Sequence, residues 1–150
     1  MGIPLFQVDA FTDKPFTGNP AAVCILPEPR DITWMQQVAQ EMNLSETAFL
    51  YRQQDIFHLR WFTPAVEVDL CGHATLASAH ILWEEKLLHP QETARFETRS
   101  GLLTASQNGD RIELDFPAEP EKEEKAPAEL AKALGVRPLY VGRNRFDYLV

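Results

Sequence analysis

The stretch Ala74-Thr75-Leu76-Ala77-Ser78-Ala79-His80-Ile81-Leu82-Trp83 decides the fold, because small or apolar residues occupy nearly every face of the helix that it would form. Plainly hydrophilic residues come only directly after it, in Glu84-Glu85-Lys86. A helix without a polar face is stable when it is buried on all sides. The sequence therefore predicts a central helix over residues 74–83 that is wrapped by a sheet.

Segments with strand-like alternation precede and follow this helix. Strands are predicted at residues 3–11, 21–26, 46–51, 56–62, 66–70, 94–98, 102–106 and 111–116. Asn108-Gly109 predicts a hairpin turn between the last two strands. One amphipathic helix interrupts the series, with Asp31 as its N-cap and Asn43 as its C-terminal stop. The pattern predicts an α+β fold.

The composition excludes several classes of protein. The 150 residues match one ordinary domain that is 45% apolar and 24% charged, and no window approaches the roughly 18 apolar residues that a membrane span needs. A formal net charge of −8 argues against binding to nucleic acid. Cys24 and Cys71 fit reduced thiols, and the start of the chain lacks a basic segment followed by an apolar one. We expect a cytoplasmic protein without a nucleic-acid or membrane partner.

The last 34 residues of the chain begin with an exposed connection. Pro117–Pro127 is polar and charged and contains three prolines, which also suggests a domain boundary. Beyond it, the pattern predicts a short helix over 128–134 that ends at Gly135, a strand over 139–141 and another strand that starts near Phe146. Since the apolar end of the chain falls inside that last strand, we expect more protein to follow.

Glu46 is the first candidate for chemistry. It stands in Ser45-Glu46-Thr47-Ala48-Phe49-Leu50, where strand alternation would place its carboxylate on the same face as Ala48 and Leu50. A carboxylate that faces an apolar surface loses solvation of its charged form, which favours proton exchange near neutrality. In the alternative interpretation, Glu46 opens the strand at its hydrated end and meets only a backbone N–H.

The start of the buried helix supplies three more candidates. His73 stands where free backbone N–H groups and the positive end of the helix dipole can receive a carboxylate. Gly72 would allow close approach of the ligand, and His73 could donate a hydrogen bond, pass a proton, or only cap the helix. Cys71 could be a thiol of lowered pKa at this position, although we favour the interpretation as a small buried hydrophobe.

The sequence contains no motif for a metal or a nucleotide. His58, His80 and His89 do not have the spacing of zinc ligands. Glycine-rich phosphate loops and the serine-hydrolase elbow are also missing. We therefore predict no metal site and no nucleotide-binding site.

Five motifs occur in a fixed order along the chain. They are Val8–Thr12, Phe16–Val23, Leu44–Phe49, Trp61–Pro64 and Cys71–Leu76, and Asp115–Ala118 and Asp147–Val150 extend the series. Together these segments resemble the phenazine biosynthesis PhzF-like isomerase family. The resemblance covers essentially the whole chain.

The resemblance implies a diaminopimelate epimerase-like fold, in which two lobes each wrap a strongly curved, mostly antiparallel sheet around a central helix. Residues 1–117 would form the first lobe, and residues 118–150 a linker and the start of a second, truncated lobe. The family's active site lies between its two lobes, and it also uses second-lobe residues that nothing in this chain matches.

For the chemistry, the resemblance implies that Glu46 is the acid/base that moves a proton between carbons of a small carboxylate without any cofactor. Gly72 and His73 would line the substrate site, and Asn19 would lie close to it. In phenazine-making organisms the family isomerises a dihydro-hydroxyanthranilate, and its members are commonly homodimers. Two alternatives stay open: a thiol-dependent racemase or epimerase that uses Cys71, and a non-catalytic small-carboxylate binding protein.

Overall fold

The computed structural model describes residues 2–146 and 148–149. The chain divides into two compact units, Met1–Phe116 and Pro117–Val150. The interpretation of these units as one lobe and the start of another stays a prediction. The two ends of the motif Asp147–Val150 lie outside the described residues.

The first unit is built on one sheet. Its elements are β1 (Leu5–Ala10), β2 (Asn19–Leu26), α1 (Ile32–Met42), β3 (Glu46–Gln53), β4 (Ile56–Phe62), β5 (Glu67–Val68), α2 (Gly72–Glu84), β6 (Ala94–Thr98), β7 (Gly101–Asn108) and β8 (Arg111–Asp115). The strands follow the order β1-β2-β3-β4-β6-β7-β8, and β5 pairs with β4. β2–β3 and β4–β6 are parallel, while the other neighbours are antiparallel. The sheet is therefore mostly antiparallel, as predicted.

Helix α2 is the centre of this unit. It contacts β1, β2 and β3 as well as β8, so the two ends of the strand order both reach it and the sheet must curve around it. Ala77 and Leu82 are fully buried in its interior cluster. The predicted central helix and the α+β class are confirmed, and the helix begins two residues earlier than the apolar run indicated.

Strand β3 divides its side chains between two clusters. Ala48 and Leu50 pack in the inner cluster with α2, while Phe49 packs in an outer cluster against Met35 and Ala39 of α1. The caps of α1 are the predicted ones. The Asp31 carboxylate accepts from the N–H of Thr33 at 2.8 Å, and Asn43 ends the helix in the left-handed region.

Two strand predictions need correction in this unit. The hairpin between β7 and β8 is confirmed, but Asn108 pairs with Arg111, so the turn residues are Gly109 and Asp110. The predicted strand 66–70 shortens to Glu67–Val68. At its start, Val66 belongs to a turn instead, in which the hydroxyl of Thr63 accepts from the backbone N–H of Val66 at 3.0 Å.

The second unit contains β9 (Lys122–Glu123), α3 (Leu130–Leu134), β10 (Gly142–Arg143) and β11 (Tyr148–Leu149), with the strands in the order β11-β10-β9. The predicted strand 139–141 is wrong, because the paired residues are those that follow it and Leu139 is fully exposed. The Pro-rich connection contains the strand β9, which its composition did not indicate. In the part of the chain that the structure describes, no helix is both long and apolar enough to cross a membrane.

Candidate active site

Three segments of the chain meet at the N-terminus of α2. β2 and β3 run parallel with Ala21 opposite Glu46, so the starts of both strands lie side by side. The register brings Asn19 next to Ser45, whose hydroxyl donates to the Asn19 Oδ1 at 3.2 Å. The start of α2 supplies His73, whose imidazole contacts both Ser45 and Glu46. The structure therefore brings together Glu46, His73 and Asn19 among the predicted site residues.

Gly18 explains how the chain enters β2 at this point. Its φ is +85°, and a Cβ there would collide with the carbonyl oxygen of Ala10 and the side chain of Thr12. Only glycine combines this conformation with such a close approach. The sequence around Asn19 is thus set by backbone geometry as well as by any role of Asn19 itself.

Glu46 makes the central contact of the site. Its Oε2 lies 3.3 Å from Nε2 of His73, and the side chains are 20% and 8% exposed, respectively. The predicted face is confirmed, because Ala48 and Leu50 pack toward α2 as Glu46 does. Glu46 does open the strand, but its carboxylate meets an imidazole rather than only a backbone N–H.

Ser45 is a site residue that the sequence reasoning missed. Its hydroxyl oxygen lies 3.2 Å from Nε2 of His73 and 3.2 Å from the carbonyl oxygen of Pro20. It links Asn19 to His73, a role that its place in the motif around Glu46 does not indicate. The observation that would have identified Ser45 is the parallel pairing of β2 with β3. A single sequence does not reveal this pairing.

Cys71 is the N-cap of α2, and its Sγ lies 3.4 Å from Nδ1 of His73. Burial raises the pKa of the Cys71 thiol to about 12, and the Glu46 carboxylate adds to the rise, while the backbone N–H groups of Ala74 and His73 oppose it. The suggestion of a lowered thiol pKa is therefore wrong. The interpretation of Cys71 as a small buried residue fits its 8% exposure.

The first turn of α2 keeps its backbone donors for other partners. The first hydrogen bond within the helix runs from the N–H of Thr75 to the carbonyl oxygen of Cys71, at 3.3 Å. The N–H groups of residues 72–74 come before it and have no acceptor within the helix. The Cys71 side chain makes no capping hydrogen bond among the described residues, and sulfur is a weak acceptor. A Cβ placed on Gly72 would meet only a ring atom of Phe116, at 3.9 Å. The backbone at this turn is thus open to a small ligand.

The same cluster contains atoms that a metal ion could use. One oxygen of Glu46, the sulfur of Cys71 and a ring nitrogen of His73 lie within 4.8 Å of one another. These are donor types that zinc accepts. The three side chains already meet one another, however, with different ring nitrogens of His73 facing Cys71 and Glu46. The absence of a metal stays a prediction.

Known proteins resemble this chain along nearly its whole length. Residues 8–137 match the PhzC-PhzF family, described as phenazine biosynthesis-like protein. The chain is 63% identical to an uncharacterized isomerase from Halalkalibacterium halodurans, over 100% of this chain and 57% of that protein. A crystal structure of a phenazine biosynthesis PhzF-family protein from Enterococcus faecalis is 40% identical, with a TM-score of 0.84, over 95% of this chain and 55% of that one.

The likeness in fold extends further than the likeness in sequence. The crystal structure of a hydroxyproline epimerase from Agrobacterium vitis is 13% identical, with a TM-score of 0.63, over 95% of this chain and 48% of that one. Such a low identity shows the fold alone, and the predicted epimerase-like fold is confirmed. The chain spans 57% of the length of the first two curated relatives, which are named as isomerases.

Proposed function

The chain belongs to the PhzC-PhzF family of phenazine biosynthesis-like proteins, and from that premise we propose that it acts as a cofactor-independent isomerase. In the proposed reaction, Glu46 removes a proton from one carbon of a small carboxylate and returns it to another. One observation carries the proposal: the Glu46 carboxylate lies 3.3 Å from His73 Nε2, beside the open N-terminus of a buried helix.

Glu46 suits a base that also acts as the acid. An ionised carboxylate takes the proton as the C–H bond breaks, and the electron pair moves into the π system of the substrate. The carboxyl group, whose proton can exchange with solvent because Glu46 is 20% exposed, then delivers a proton to a second carbon, so the reaction needs no further reactant. A bound substrate excludes part of the water around this carboxylate, which strengthens these electrostatic contacts.

The start of α2 suits the carboxylate of the substrate. The N–H groups of residues 72–74, which precede the first intrahelical hydrogen bond, and the positive end of the helix dipole attract an anion. They would have to act locally, because the formal net charge of −8 makes the overall field unfavourable for an anion. With the Asn19 oxygen accepting from Ser45, the amide N–H2 of Asn19 is the group that would reach the substrate.

Incubation with small cyclic and amino carboxylates in deuterium oxide tests this function. An isomerase would introduce deuterium at a carbon of its substrate, as mass spectrometry detects. Thermal stabilisation by a carboxylate without deuterium uptake would favour the binding protein instead. Loss of the exchange after alkylation of Cys71 with iodoacetamide, with no block to binding, would favour the thiol-dependent epimerase, against which the raised pKa of Cys71 argues.

Gly72→Ala tests where the substrate carboxylate binds. The added methyl group has room within the described residues, so the fold should be retained, and alanine is the better helix former. We expect affinity for a stabilising carboxylate to fall about tenfold or more, since the methyl group occupies the space above the N–H groups. Gly2→Ala is the control, because a methyl group there meets no described residue within 4 Å. Unchanged affinity in Gly72→Ala would contradict this placement.

We also propose that the protein forms the homodimer that is common in this family. Sedimentation equilibrium measures this directly against the chain mass of 17.1 kDa. A mass of one chain at all concentrations would contradict the dimer.

A further inference from the structure

The hydrogen bonds of Ser45 constrain the protonation of His73. The Ser45 hydroxyl has one proton and three polar neighbours, namely Asn19 Oδ1, the Pro20 carbonyl oxygen and His73 Nε2, each at 3.2 Å. Asn19 Oδ1 and the Pro20 carbonyl oxygen can only accept, so two of these three neighbours need the hydroxyl proton, and we assign it to one of them. The Ser45 oxygen is then an acceptor toward His73, which leaves Nε2 as the donor.

Glu46 favours the same assignment. Its Oε2 lies 3.3 Å from Nε2, and an ionised carboxylate has only acceptors to offer. Without a proton on Nε2, the lone pairs of nitrogen and oxygen would face each other in a site where both side chains are largely buried. With the proton there, both Ser45 and Glu46 receive it as acceptors.

Cys71 completes the arrangement on the other side of the ring. Its sulfur is the group that the structure places against Nδ1, at 3.4 Å, among the described residues. Burial raises the pKa of this thiol to about 12, so the sulfur keeps its proton and can donate it to Nδ1. The Glu46 carboxylate is a second acceptor for the S–H.

We propose that Ser45 and Cys71 are positioning residues that hold His73 as the neutral Nε2–H tautomer, with this N–H directed at Glu46. In that state His73 cannot take a proton at Nε2, so it serves as a hydrogen-bond donor to the carboxylate and not as a proton relay. Cys71 acts through His73 and not as a base. The consequence for catalysis rests on the proposed function, whereas the tautomer itself does not.

The tautomer is measured by long-range ¹H–¹⁵N NMR on protein labelled at histidine. We expect the Nε2 of His73 to have the ¹⁵N shift of a protonated ring nitrogen and Nδ1 that of an unprotonated one. Cys71→Ala removes the donor to Nδ1, and we expect the tautomer ratio to move about three- to tenfold toward Nδ1–H. Cys71→Ser should restore the wild-type ratio, because its hydroxyl can donate to the same nitrogen.

Two further variants sharpen this test. Ser45→Ala should also move the ratio toward Nδ1–H, by removing an acceptor of the Nε2 proton. Cys24→Ala removes the other buried thiol, in the outer cluster, and should leave the His73 signals unchanged.

A wild-type His73 with its proton on Nδ1, or with protons on both nitrogens, overturns the proposal. So does a wild-type ratio in Cys71→Ala together with Ser45→Ala. Because the signals are read without substrate, failure of the deuterium exchange would count against the proposed function and would leave the tautomer result intact.

Discussion

Among the described residues of the first unit, two histidine–glutamate pairs have nearly the same separation. His73 Nε2 is 3.3 Å from Glu46, and His58 Nε2 is 3.5 Å from Glu97. The first pair is 8% and 20% exposed, while the second is 25% and 58% exposed. Distance therefore does not separate the two pairs, but hydration does.

Their neighbours differ as well. The imidazole of His58 stacks on Tyr51, with the ring centroids 4.6 Å apart and the planes at 4°, and its partner Glu97 stands opposite it in the parallel β4–β6 register. His73 instead contacts a thiol and a hydroxyl at the start of a buried helix. The comparison teaches that a histidine–carboxylate contact becomes a candidate for chemistry when its surroundings exclude water and satisfy the second ring nitrogen.

The largest expected difference between the pairs is in proton transfer. Glu46→Gln keeps the shape of the side chain but removes the base, so we expect deuterium uptake into a substrate to fall about 10²- to 10⁴-fold. Glu97→Gln makes the same chemical change in the exposed pair and should leave the rate within about twofold. Mass spectrometry of the substrate measures the deuterium uptake. An equal loss of uptake in both variants would contradict the distinction between the two pairs.

The thiol beside His73 gives the second effect, at high pH. Since burial raises the pKa of Cys71 from 9.0 to about 12, its contribution to stability is complete below pH 9 and is lost as the pH rises toward 12. Urea denaturation between pH 8 and pH 11 measures how the free energy of unfolding falls with pH. Above pH 9 we expect the slope of the wild type to exceed that of Cys71→Ser by about 1 kcal/mol per pH unit. Cys24→Ser should act similarly up to its own pKa of about 11. Parallel curves for wild type and Cys71→Ser would show that the thiol is not protected.

Removal of each imidazole gives the third effect. His73→Ala deletes contacts to Ser45, Glu46 and Cys71 in a buried place, and we expect it to lower the free energy of unfolding by about 1–3 kcal/mol. His58→Ala should cost about 1 kcal/mol or less, because its pair is solvated. Urea denaturation near pH 7 measures both values, and a larger loss in His58→Ala would reverse the ranking of the two pairs.

The smallest effect concerns the response to salt. Glu97→Gln should change stability by less than about 1 kcal/mol, and this change should disappear as sodium chloride rises to about 1 M. The effect of Glu46→Gln on stability should depend less on salt, because that pair is partly shielded from ions. Identical salt dependence of the two variants would mean that the pairs are equally hydrated.

Much of the fold follows from patterns that act locally. The strands Ile56–Phe62 and Ala94–Thr98 have the predicted ends, because alternation and flanking turn residues define a half-buried strand without knowledge of its partner. The alternation does not predict which other strand each strand pairs with. Nothing in the alternation of β2 and β3 reveals that they pair in parallel, and the same holds for β4 with β6.

The site was predictable to the extent that it depends on single positions. Glu46 and His73 could be named from the face of a strand and the start of a helix. The hydrogen bonds of Ser45 could not be predicted in this way. They join Ser45 to Asn19, which is 26 positions away along the chain, and to His73, which is 28 positions away. For Cys71, the favoured interpretation as a small buried residue fits the structure, and the alternative of a lowered pKa fails because burial outweighs the influence of the helix start.

The parallel pairing of β2 with β3 also has a consequence for how fast this unit folds. A tight hairpin cannot connect two parallel strands. β2 and β3 can therefore pair only after the segment between them, which contains α1, has brought the start of β3 next to the start of β2. Contacts between distant segments form late, since the entropy of closing the loop is lost before the contacts stabilise it. We therefore expect the cluster around His73 to assemble in the slowest refolding phase, after the hairpin of β7 and β8.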